Sequence, residues 1–128
     1  MLIFALRHSY YLQQLSYFIW EKTHDSVSDI IYHEALDDMI SQNAILYQRE
    51  TENMSATQLN FLKAVASGKR KNLTAAETLK KYRLETSANV VKIKKHLLNA
   101  EIIDIHGKEV TFIDPIYMLW FQKEINGF

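Results

Sequence analysis

Asn89, Lys92 and Lys95 follow one another at three-residue spacing in the stretch Ser87–Asn99. Side chains three or four positions apart on a helix are neighbours, so these groups would share one surface with Ala88 and Asn99. An amide that both donates and accepts, beside two ammonium groups, can bond base edges and phosphate oxygens. The expectation is that Ser87 and Asn89 lie at base edges, with Asn89 reading adenine. Lys92 and Lys95 would then contact phosphate or guanine. Two further cationic groups fit a flanking backbone: the run Lys69-Arg70-Lys71, and Lys108 beside a glycine.

The net charge of zero conceals a division that supports this chemistry. Residues 1–54 carry three basic and eight acidic side chains, whereas residues 55–108 carry eleven basic and four acidic ones. A basic middle segment between acidic flanks points to a polyanion-binding surface. The plainer alternative is that acidic and basic lobes face one another.

Other chemistries find no constellation. There is no cysteine, which excludes disulfides, thiolate metal sites and cysteine nucleophiles. The histidines at 8, 24, 33, 96 and 106 lack zinc-binding spacing. Ser67-Gly68-Lys69-Arg70 is not a phosphate-binding P-loop, since it has one glycine and no strand before it. Asp37 and Asp38 are adjacent and point apart on a helix. The reading is therefore a non-enzyme without cofactor or metal. The opening MLIFALR is short and lacks a basic leader, and no apolar run reaches the roughly 20 residues of a membrane span. A cytoplasmic protein is expected.

The elements that must position the basic groups can be read from caps and periods. Ser9–Glu21 is predicted helical, with Tyr11, Leu12, Leu15, Phe18 and Ile19 on one face and Tyr10, Tyr17 and Trp20 around the rest. Ser26-x-x-Asp29 would cap a second helix running to about Glu50, with Tyr32, Leu36, Met39, Ile40 and Tyr47 inward. Ser55-x-x-Gln58 is a capping box, opening a helix that Gly68 ends. Thr74-x-x-Glu77 is a second such box, predicting a helix from Thr74 to about Tyr82. A turn of about four residues and an N-cap at Thr86 or Ser87 then give helix-turn-helix spacing. In the following helix Val90, Ile93 and Leu97 face inward.

Beyond it the period changes from helical to alternating. Ile102–Ile105 and Val110–Ile113 flank His106-Gly107-Lys108 as a hairpin, with Ile103, Ile105, Val110 and Phe112 on one face. Asp114-Pro115 stops the strand before a last helix, Ile116–Glu124. The expected fold class is mainly α with a small β-hairpin wing: an N-terminal helical pair followed by a winged helix-turn-helix. The predicted divisions are a helical, lid-like segment at 1–54 and a winged-helix domain at 55–128.

Four of these stretches also resemble a known family. HSYYLQQLSYFIW, Met54–Gly68, TSANVVKIKKHLL and FIDPIYMLWF are similar to the C-terminal region of prokaryotic, archaeal-type AAA+/STAND-like ATPases. The resemblance spans about Tyr10 to Phe121. It implies that residues 9–50 belong to the lid side and 55–121 to a winged helix, with a P-loop domain earlier in the family's chain. It also implies a fragment or truncated product here, and ATPase activity does not carry over, because the Walker residues have no counterparts. One position departs from the pattern: Glu85 stands where a glycine is expected before TSANV.

Two functions are expected from these readings. The first is a module that reads duplex DNA with helix 87–99 and wing 102–113. The second is a regulatory lid or interaction module without DNA binding, packing on an ATPase domain or forming a homodimer through the aromatic first helix (Tyr10, Tyr11, Phe18, Trp20).

Overall fold

The computed structural model describes Gln13, Gln14, Tyr17 and residues 29–127. Two compact units divide it, residues 1–46 and 47–128. In the first, Gln13, Gln14 and Tyr17 are helical, and the long helix α1 (Asp29–Glu52) begins. The Gln14 amide donates to Gln42 Oε1 at 3.0 Å and accepts from Asn43 Nδ2 at 3.2 Å. The remaining positions of the predicted aromatic first helix, and the Ser26 cap, lie outside the described residues.

Along α1 the buried positions are Ala35, Met39, Tyr47 and Thr51. Tyr32, expected inward, is 43% exposed, its ring set edge-on to His33. The stripe advances in steps of four, and Asn43 occupies one of its half-buried places. Small and polar members therefore hide the true face from an apolar count.

The second unit takes the last turns of α1 and adds helices α2 (Ala56–Ala66), α3 (Ala76–Tyr82) and α4 (Ser87–Asn99). Strands β1 (Ile103–His106) and β2 (Glu109–Phe112) and helix α5 (Pro115–Glu124) follow. This is a mainly helical fold with one two-stranded antiparallel hairpin, as expected. Its core gathers Phe61, Leu62, Val65, Leu84, Val90, Ile93, Leu97, Ile103, Val110 and Phe121, all nearly or fully inaccessible. Burying each such side chain contributes about 1.5–3 kcal/mol. Helix α2 lies at the centre, touching α3, α4, α5 and β2.

Local chemistry sets these boundaries. The Ser55 hydroxyl accepts from Gln58 N–H while the Gln58 side chain accepts from Ser55 N–H, so the predicted capping box is complete. At the far end Gly68 takes φ +104°; its own N–H meets Val65 O, and Lys69 N–H meets Ala64 O. That pair of bonds is a Schellman closure, which needs a left-handed residue where Gly68 sits.

The second predicted capping box is corrected. Helix α3 starts two residues late, with Ala75 as its N-cap and no side-chain cap. Asn72 is left-handed at φ +56°, Leu73 is buried, and Ala75 N–H bonds Asn72 O. This turn uses Thr74 as a connector, where its hydroxyl does not cap the helix.

The hairpin pairs Ile103 with Phe112 and Ile105 with Val110, the predicted face. Gly107 at φ +64° fills the first place of a two-residue turn, which glycine favours there. The buried Asp114 caps α5 by accepting from Ile116 and Tyr117 N–H, with Pro115 at the first helical position. Among the described residues no helix is long and apolar enough to cross a membrane.

Candidate nucleic-acid interface

Helix α4 is amphipathic because of its sequence period, and its start is fixed by one side chain. Thr86 accepts from Asn89 N–H at 3.1 Å, as an N-cap should. Val90, Ile93 and Leu97 are buried on the lobe's core. The opposite surface exposes Ala88, Val91, Lys92, Lys95 and Asn99, and Ser87 is exposed at its start. The helix contains no carboxylate. Among the described residues no ion pair engages Lys92 or Lys95.

The turn that leads into α4 is tight and strained. Arg83 and Glu85 are left-handed at φ +55° and +72°, on either side of the fully buried Leu84. An L-residue pays about 1–2 kcal/mol for that conformation. The Asn89 amide Nδ2 donates to Leu84 O and to Glu85 Oε2, each at 3.3 Å. Asn89 is half-buried and fastens the turn. Its expected role at adenine requires releasing these bonds.

Lys69, Arg70 and Lys71 lie on the loop after α2, Lys69 half-buried and the other two exposed. Arg70 O accepts from Val110 N–H at 3.0 Å, which lays this loop along β2. Lys71 pairs with Glu109 at 3.6 Å. Lys108 is exposed at the hairpin turn, and at the end of β1 His106 Nε2 is 3.1 Å from Asp104 Oδ2. The structure thus brings the 69–71 loop to the wing, and α4 packs against β1.

Sequence reading missed Lys80 and Arg83. With Ala56, Thr57, Asn60 and Leu79 they line an open groove of about 620 Å³ between the start of α2 and α3, with Glu85 at its edge. Asn60 Nδ2 bonds Arg83 O across it at 3.3 Å. The basic last turn of α3 was the available signal. Among the described residues no group of three or more metal-ligating side chains assembles.

A family model described as "Probable winged helix domain" matches residues 45–123. No curated protein matches the chain, and no solved structure does.

Proposed function

The chain belongs to the family described as "Probable winged helix domain", and on that premise we propose that its second unit binds duplex DNA. Helix α4 enters the major groove with its first two turns at the base edges, the docking mode of helix-turn-helix proteins. Lys92 and Lys95 bind phosphate or guanine, while Lys108, Lys69 and Arg70 hold the flanking backbone. Lys71 contributes less, since Glu109 competes for it. A cytoplasmic setting accompanies this reading.

The observation that carries the proposal is the outward face of α4, with Lys92 and Lys95 exposed and without carboxylate partners. A mobility assay with random duplex at low salt tests it. A shifted band that dissolves as salt rises is the expected result; free DNA at every protein concentration rejects the proposal.

A second reading is favoured by the exposed apolar side chains of α1: Ile30, Tyr32, Ile45 and Leu46. Scattered exposed apolar groups are normal, but four on one helix support a partner surface. In that reading the chain is a regulatory module beside an ATPase domain, the setting that the resemblance implies, or a homodimer. Sedimentation separates the cases: a concentration-dependent dimer supports self-association, and a monomer throughout removes it.

A further inference from the structure

We infer that Ala88 and Val91 form a reader for thymine methyl groups at the centre of the α4 face. The inference rests on the duplex-DNA reading above and names what in the duplex is recognised. Val91 is 60% exposed although it is a β-branched apolar residue, which neither core packing nor helix propensity requires there. Ala88 is exposed one turn earlier, so the two side chains adjoin on the first two turns of the helix. These are the turns that face base edges in helix-turn-helix docking.

The neighbours leave this pair as the direct reader. Asn89, the residue best equipped for hydrogen-bond readout, spends its amide on Leu84 O and Glu85 Oε2. Lys92 and Lys95 border the apolar pair and match the phosphates lining a groove. In the major groove only thymine presents a methyl group, and apolar side chains are its ordinary partners. Leu98, the other exposed apolar residue of α4, lies seven residues beyond Val91, about 10 Å further along the helix axis. That distance removes it from the turns nearest the bases. An apolar protein partner suits this face less well, because Lys92, Lys94 and Lys95 accompany Val91 and no carboxylate does.

The test starts from random duplex enriched on the protein. The recovered duplexes are then measured by fluorescence anisotropy with thymine and with uracil at each position in turn. Uracil pairs like thymine and lacks only the methyl. The expected result is one or two positions where uracil weakens binding about fourfold, the loss for one buried methyl group. Val91→Ala, a change on an exposed position, should bind both forms to within about 1.5-fold there. Equal binding of thymine and uracil at every position overturns the inference while leaving DNA binding intact. So does a Val91→Ala protein that keeps the full preference, or an enrichment that yields no thymine positions. Absence of any duplex binding overturns this inference and the duplex-DNA reading together.

Discussion

The hydroxyls of Thr51, in the last turn of α1, and Tyr117, in α5, lie 2.8 Å apart in the core of the second unit. Thr51 Oγ1 also donates to Tyr47 O at 2.8 Å, which uses its only proton. Tyr117 must therefore be the donor in the pair. The ring of Tyr117 stacks on Tyr47 at 5.2 Å and meets Phe112 edge-on at 5.7 Å. Within the second unit this contact ties the last turn of α1 to α5 through one directed hydrogen bond.

Direction makes the two single substitutions unequal. Thr51→Val leaves a buried Tyr117 hydroxyl without an acceptor, a cost of about 1–3 kcal/mol. Tyr117→Phe removes the donor and leaves Thr51 bonded to Tyr47, so about 1 kcal/mol is expected. Urea unfolding measures both; an equal loss, or a larger one for Tyr117→Phe, would reverse the donor assignment.

The same burial sets a pH dependence. Burial pushes the Tyr117 hydroxyl from 10.0 up to about 12, helped by the carboxylates of Glu50 and Asp114. The unfolded chain releases that proton near pH 10 while the folded one keeps it, so the contribution is complete below pH 10 and lost as pH rises towards 12. Thermal denaturation should show wild type losing stability across that window more steeply than Tyr117→Phe. Parallel curves for the two proteins would contradict the burial argument.

Glu85 carries backbone strain next to the proposed DNA face. Replacing it with glycine frees φ +72° of the side-chain clash, a gain of about 1–2 kcal/mol. Extra freedom of the unfolded chain offsets about 0.5–1 kcal/mol of this, as does the lost bond from Asn89. A rise of up to about 1 kcal/mol is expected, together with tighter DNA binding once the carboxylate is gone. A clear loss of stability would show that the bond to Asn89 outweighs the strain.

Asp114 works at the junction of strand and helix. Its carboxylate is buried and accepts two N–H groups at the start of α5. Asp114→Ala should cost about 1–2 kcal/mol, and Asp114→Asn much less, because asparagine caps comparably. Chemical denaturation of the pair checks this; equal losses would mean that charge, and not capping, holds the site.

Much of the lobe was legible because its signals are local. Ser55 and Gln58 answer each other within one turn, Gly107 marks a hairpin, and Val90, Ile93 and Leu97 repeat at helical spacing. The failures occur where a neighbour overrides the local signal. Thr74 has the spacing of a cap, but burial of Leu73 draws the chain into a turn and delays α3 to Ala76. Tyr32 has the polarity of a core residue, yet the buried stripe of α1 runs through Ala35 and Met39. At the site, the exposure of Lys92 and Lys95 followed from helical period alone. The bonds from Asn89 back to the turn did not, because they depend on two left-handed residues that side-chain type does not announce. A glycine expected at Glu85 was the one hint of that backbone.

The central claim is that the lysines of α4 neutralise DNA phosphates, and fluorescence anisotropy on random duplex across a salt series tests it most directly. For the wild type the logarithm of affinity should fall linearly with the logarithm of salt, with a slope of about −0.9 per phosphate contact. The Lys92→Glu, Lys95→Glu double variant should bind at least tenfold more weakly and show a slope shallower by roughly two units. A double variant with wild-type affinity and slope, or a wild type that binds no duplex at the lowest salt, would contradict the account.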